Sequence, residues 1–285
     1  MTAIIVDGNA ILREIQQEAK ETFAAVAADT GVPARVAIIQ AGDDDSASLY
    51  TRRLKRNFEG AGVVVDVHEL PFAASLITAI DLVQRLSADE TIHGIQIQTP
   101  TPAHLPLSEL VAALAPTKDL DGIHPMNAGL LAQGTPSVVP ATPLGGMEIL
   151  LRHQVPIEGA RAVVVGRSPT VGRPMALLLL ARHATVTICH TRTRDLPSIT
   201  RDAEILACAA GRAGLIGAEM VRPGAAVIDF GVNVVDGGLA GDVAPEAAER
   251  AGLFTPVPGG TGPVTNGMLL KNALALYRRA LGVSA

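Results

Sequence analysis

The sequence predicts an α/β protein of two domains. Three observations carry that reading: an early alternation of β-branched runs with helical-period stretches, a second alternation further along, and a Pro-, Gly- and Thr-rich stretch between them. With 285 residues, 48% hydrophobic and 18% charged, the chain can build two ordinary cores.

In order, the first alternation is a strand at Arg35–Ile39, a helix over 46–58, a strand at 63–67, a helix over 75–86 and a strand at Gly94–Ile97. From Thr99 to Val139 only Ser108–Leu114 reads as a helix, so this stretch is a linker and site-forming region. The second alternation has strands at 162–165, 186–189, 205–208 and 226–228, with a helix over 171–181. Leu269, Leu270, Ala273, Leu274 and Tyr277 then recur at helical spacing, predicting an amphipathic helix over 266–281 that packs onto structure already built.

Several function classes drop out. A net charge of −5, two Tyr and five Phe give no basis for a nucleic-acid surface. The longest purely apolar run, Met175–Ala181, is far short of the roughly 20 residues that cross a bilayer, and the N-terminus lacks the layout of a signal peptide. A cytoplasmic protein without a membrane partner is expected. Cys189 and Cys208 lie in apolar, strand-like segments and read as buried thiols, and the seven His show no zinc spacing, so no metal is expected.

The strongest local signal is Val163-Val-Val-Gly166-Arg-Ser-Pro-Thr-Val-Gly172, a strand entering a helix through a glycine turn. Such a turn lets backbone approach a pyrophosphate while the helix N-terminus offers free N–H groups. Its GxSxxxG spacing is a variant of the dinucleotide fingerprint. The next strand ends in His190-Thr191-Arg192-Thr193-Arg194, without the carboxylate that binds the ribose hydroxyls of NAD. Hydroxyls and guanidinium groups, with Arg167 nearby, suit the 2′-phosphate of NADP. A solvated basic turn is the plainer alternative.

Four further segments are Gly42-x7-Tyr50, Gly94-Ile-Gln-Ile-Gln98-x-Pro100-x-Pro102, Lys118-Asp-Leu-Asp121-Gly122 and Pro256-Val-Pro-Gly-Gly-Thr-Gly-Pro263-Val-Thr265. With the glycine turn and Cys189-His-Thr-Arg-Thr193, they resemble, in order along almost the whole chain, the bifunctional methylenetetrahydrofolate dehydrogenase/methenyltetrahydrofolate cyclohydrolase family. The resemblance implies a homodimer whose subunits bind tetrahydrofolate derivatives between a catalytic domain (1–140, with 264–285 returning to it) and a Rossmann-like NADP domain (141–263). It implies that Tyr50 stacks on the folate, Gln98 orients a catalytic lysine, Asp121 grips the pterin, and Pro100, Gly262 and Pro263 line the substrate. Gly166, Arg167, Ser168, Thr191, Arg192 and Val232 would hold the cofactor. Plainer roles stay open: Tyr50, Leu54 and Phe58 form an i, i+4 stripe suited to a core, Gln98 ends a buried-looking strand, Asp121 precedes a turn glycine, and 256–263 could be a surface loop.

One departure bears on activity. The family's lysine, four residues after the tyrosine, is Leu54 here. Lys55 follows, but one residue turns a helix by about 100°. Arg53 lies nearer the correct face, yet a guanidinium with a pKa above roughly 12 is no general base. The sequence therefore predicts a dehydrogenase with weak or absent cyclohydrolase activity. Its rivals are a fully bifunctional enzyme using Lys55, a catalytically idle paralogue that binds folate and NADP, and another dehydrogenase on a related plan. Thr99, Thr101, Ala141 and Thr261 also depart from the residues common in the family, which implies a divergent pocket.

Overall fold

The computed structural model describes residues 3–42 and 45–283. These form two compact units: Arg13–Val139 with the residues from Leu269 onward, and the residues up to Leu12 with Pro140–Met268. The chain opens with β1 (Ile4–Ile5) and α1 (Gly8–Thr30), a helix not anticipated above although Ile15, Ala19, Phe23 and Val26 mark its buried face.

In the first unit, β2 (Arg35–Ala41), β3 (Val64–Leu70) and β4 (Gly94–Ile97) form a parallel sheet in the order β3-β2-β4. Side chains alternate across a strand. Ala37, Ile39, Ala41, Ile95 and Ile97 face one way, packing with Leu82, Val83 and Leu86 of α3 (Leu76–Ala88) and with Leu110 and Val111 of α4 (Leu107–Ala113). Ser75 starts α3 by accepting the Thr78 N–H at 3.1 Å. The other face carries Gln40, whose Nε2 donates to Ser48 Oγ of α2 (Asp45–Gly60) at 2.7 Å. Ile38 pairs with Gln96, so Gln96 and, two residues on, Gln98 lie on this α2 side. The segment after Thr99 holds a further helix, α5 (Pro125–Ala132), besides α4.

In the second unit six parallel strands run in the order β1-β11-β8-β7-β5-β6. They comprise β1, β5 (Arg161–Val165), β6 (Thr185–Cys189), β7 (Ile205–Cys208), β8 (Ala226–Asp229) and β11 (Leu253–Phe254). β9 (Asn233–Val235) and β10 (Gly238–Ala240) form an antiparallel hairpin, and α6 (Ala141–Arg152), α7 (Gly172–Ala181) and α8 (Leu196–Arg201) complete the unit. The order reverses beside β5, which puts a ligand crevice at the carboxyl ends of β5 and β7. The ends of the unit differ from the 141–263 reading: Ile4–Ile5 extend the sheet by pairing with Leu253–Phe254, and the residues up to Met268 stay with it.

The last helix, α9 (Thr261–Ala280), is built into the first unit by its second half. Tyr277 is fully buried, stacks edge-on to His93 at 4.9 Å, lies 6.0 Å from Phe23 and donates to the Val32 carbonyl. Asn272 Nδ2 donates to the carbonyls of Leu120 and Val139, each at 3.0 Å. No helix among the described residues is long and apolar enough to cross a membrane.

Candidate active site

The glycine turn of the second unit is fixed by sterics. Gly166 has φ +123°, and a Cβ there would stand 2.1 Å from the Ala209 carbonyl oxygen; one on Gly172 would stand 2.3 Å from the Gly166 oxygen. Only glycine lets β5 enter α7 this tightly. Ser168 Oγ accepts the N–H groups of Val171 and Gly172 at 3.1 and 3.2 Å, ordering the turn and leaving its hydroxyl proton to donate. Gly166 N–H donates to Cys189 O at 2.8 Å, which sets the turn beside the end of β6. There Thr193 Oγ1 accepts the His190 N–H at 2.8 Å, and Thr191, Arg192 and Arg194 are exposed, as is Arg167 in the turn itself. This arrangement fits a dinucleotide with a phosphorylated ribose: a backbone cradle no side chain can enter, flanked by exposed guanidinium groups.

Two buried acids order the neighbouring loops. Asp229, at the end of β8, accepts the N–H groups of Gly231, Asp242 and Val243 at 2.8, 3.1 and 2.9 Å. Asp242 accepts those of Ala210, Gly211 and Arg212 at 2.5, 3.0 and 2.8 Å, and Asn233 Nδ2 at 3.0 Å. Burial still pushes the Asp229 carboxyl up to about 6 against these donors. Val232, next to this knot, is exposed. Thr261 Oγ1 donates to Asp229 O at 2.7 Å and Gly260 N–H to Pro256 O at 2.8 Å, so 256–261 is a tied segment rather than a loose surface loop. Gly262 is exposed and Pro263 half-buried in the first turn of α9. Cys189 and Cys208 are buried free thiols, and burial raises the pKa of both.

In the first unit, α2 runs without a break and turns Thr51, Leu54 and Phe58 inward, with Leu54 only 1% exposed. Tyr50 is half-buried on the flank of this face. Burial, then the charge of Asp121, pushes its phenol up to about 12, opposed by Arg53, so these three groups act on one another. Asp121 is half-buried, and burial, then the nearby Asp119, pushes its carboxyl up to about 7. Gln98, at the end of β4, is 5% exposed; its Nε2 donates to Thr99 O at 3.2 Å, while Oε1 is buried with no hydrogen-bond partner among the described residues. Pro100 follows, exposed, after a cis Thr99–Pro100 bond; Thr99 is exposed and Thr101 half-buried. Lys55 points elsewhere: half-exposed, its Nζ lies 3.7 Å from Glu59 Oε1 along the helix. α2 is continuous from Asp45 to Gly60, so Lys55 stays one residue, about 100°, round the helix from Leu54.

Comparison with known proteins decides the family. Residues 6–121 match the family model described as the catalytic domain of tetrahydrofolate dehydrogenase/cyclohydrolase, and residues 140–281 match that family's NAD(P)-binding domain. The bifunctional protein FolD of Chloroflexus aurantiacus is 51% identical over 99% of this chain and 100% of its own length. The chain belongs to the tetrahydrofolate dehydrogenase/cyclohydrolase family. Among solved structures, the bifunctional FolD of Campylobacter jejuni superposes with a TM-score of 0.94 at 36% identity, over 97% of this chain and 99% of the other. So does the Trypanosoma brucei enzyme, crystallised with NADP and an inhibitor, at 0.94 and 36% over 99% of each.

Within this family frame, the catalytic unit brings Tyr50, Arg53 and Asp121 into mutual influence, and the NAD(P)-binding unit brings the turns bearing Gly166–Ser168 and Thr191–Arg192 together. Sequence reasoning passed over Asp119, Asp229 and Asp242. Asp119 stood in plain view in Lys118-Asp-Leu-Asp121, but its burial, at 1% exposure, depends on Asn127 and α5.

Proposed function

We propose that this chain oxidises 5,10-methylenetetrahydrofolate to the 5,10-methenyl form with NADP, and opens the methenyl ring weakly or not at all. One observation carries the second half: Leu54 fills the helix position where the family places its lysine, and the Gln98 oxygen that would hold that ammonium is buried without a donor among the described residues. Leaving a buried acceptor unpaired costs about 1–3 kcal/mol. A lysine would relieve it.

NADP, when bound, accepts the hydride. Gly166, Ser168 and the N-terminus of α7 would cradle its pyrophosphate, Val232 would line the cofactor, and Arg167, Thr191 and Arg192 would meet the 2′-phosphate. On the folate side, the Asp121 carboxylate accepts from the amino and ring N–H groups of the pterin, Tyr50 stacks beside it, and Pro100 shapes the wall after Gln98. Hydride loss leaves a cation delocalised over two folate nitrogens, so orientation does most of the work and no protein proton carrier is needed. Ring opening differs, because water must lose protons and a folate nitrogen gain one. Leu54 cannot carry a proton, Arg53 does not release its own, and Lys55 is engaged with Glu59. The working form is read as a homodimer in the cytoplasm.

The test is NADPH formation from 5,10-methylenetetrahydrofolate, with NADP and NAD compared. The expected result is a preference for NADP of at least about tenfold that Arg192→Ala abolishes, since one charge-assisted contact is worth about 1.5–3 kcal/mol. Absence of reduced cofactor with either nucleotide would overturn the reading.

A further inference from the structure

The turn after β6 carries Thr191 and Arg192 exposed to solvent, and one residue holds its shape. His190, the first residue past the strand, contributes three groups to it. Its carbonyl accepts the Thr193 N–H at 2.8 Å, which closes a four-residue β-turn with Thr191 and Arg192 at its centre. Its own N–H donates to Thr193 Oγ1 at 2.8 Å. Its ring Nδ1 accepts the Arg192 N–H at 3.1 Å, the bond to the second residue on that an Asn or Asp side chain makes in an Asx turn. An accepting Nδ1 requires the neutral ring with its proton on Nε2. The base of the turn is anchored as well: Cys189 is buried, and its carbonyl accepts the Gly166 N–H at 2.8 Å. An enzyme that selects NAD carries at the end of this strand the carboxylate that binds the ribose hydroxyls. Here that place is held by a side chain whose acceptor is used on the backbone of the turn.

We propose that His190 is a positioning residue for cofactor choice: its ring acceptor fixes the backbone of Arg192, and so presents Thr191 and Arg192 to the 2′-phosphate of NADP. The inference rests on the reading that these two residues meet that phosphate. A guanidinium on a loose turn must give up backbone as well as side-chain freedom to capture an anion, whereas on a braced turn the backbone part is lost beforehand. NAD has no 2′-phosphate, so its binding does not draw on the brace. The pyrophosphate cradle is held separately, by the close approaches at Gly166 and Gly172 and by the hydrogen bonds to Ser168.

The test is a pair of substitutions at this exposed position. Binding of NADP and of NAD to the whole chain is measured by calorimetry, and kcat and KM for each nucleotide with 5,10-methylenetetrahydrofolate. His190→Ala removes the ring acceptor and should weaken NADP about three- to tenfold, the effect of one hydrogen bond, while NAD affinity and kcat at saturating NADP stay within about twofold. His190→Asn returns an acceptor for the Arg192 N–H and should recover NADP affinity to within about twofold of the wild type. An Ala variant that binds NADP as the wild type does, or that loses NADP and NAD alike, overturns the proposal, as does an Asn variant no better than the Ala variant. Should His190→Ala fail to fold, Thr193→Val, which removes the acceptor for the His190 N–H, should weaken NADP selectively in the same way; unchanged NADP affinity there overturns the proposal too. If the wild type turns over no folate, the proposed function is wrong and the calorimetry still judges His190. A wild type that binds NADP no better than NAD shows that the reading of Thr191 and Arg192 is itself wrong, and the proposal falls with it.

Discussion

Buried acids are treated differently in the two units. In the NAD(P)-binding unit, Asp229 and Asp242 together receive six backbone N–H groups and one side-chain amide, and three loops converge on them. In the catalytic unit, Asp119 has one oxygen satisfied and one not, and Gln96, Gln98 and Thr51 on neighbouring elements also keep buried acceptors without donors among the described residues. A fully satisfied polar network specifies a shape. A partly satisfied one marks a place where a ligand, or a residue that has been replaced, should supply the missing donors. The NAD(P)-binding unit therefore acts by backbone geometry and the catalytic unit by side-chain chemistry.

The largest effect should come from breaking the geometric side. Gly166→Ala forces a Cβ to 2.1 Å from Ala209 O at a φ of +123°, and should cost about 3 kcal/mol or more and abolish NADP binding, read by thermal melting and calorimetry. On the chemical side, Leu54→Lys should raise ring opening at least tenfold, a change of about 1.4 kcal/mol in barrier, and alter methylene oxidation far less; stopped-flow absorbance of the methenyl form reads it. Asp121→Asn should act through pH. The native carboxyl titrates near 7 against about 3.9 unfolded, so the folded state binds the proton more tightly and Asp121 costs stability above pH 7, a cost that fades as pH falls toward 4. The variant should therefore melt a few degrees higher than the wild type at alkaline pH and alike in acid, while losing folate affinity. Thr261→Val removes the hydroxyl that donates to Asp229 O at 2.7 Å and should cost about 1 kcal/mol in denaturant melts, the smallest effect.

The same contrast explains what could be read from the sequence. β7 is a buried apolar run, as is β5 after Arg161, and in β2 after Arg35 and in β4 only Gln40 and Gln96 are polar, so their composition announced them, and Tyr277 with its neighbours announced α9. β1 and β11 are two residues each, too short to show a period. α6 escaped because Pro143, Gly145 and Gly146 look like a turn; a Cβ on Gly146 would lie 2.4 Å from the Phe230 ring, so glycine serves close packing there, inside a helix. In the site, Leu54 was legible from spacing alone. The Gln98 oxygen without a partner among the described residues was not, because it depends on the side of the sheet that β4 turns inward, fixed by the pairing of Ile38 with Gln96.

The most direct test of the central claim is a time course with 5,10-methylenetetrahydrofolate and NADP, following NADPH and methenyltetrahydrofolate separately and subtracting uncatalysed ring opening. Methenyl product accumulating in step with NADPH is the predicted result, with Leu54 as the reason; NADPH rising while the methenyl form stays low would contradict the account and show that another group opens the ring.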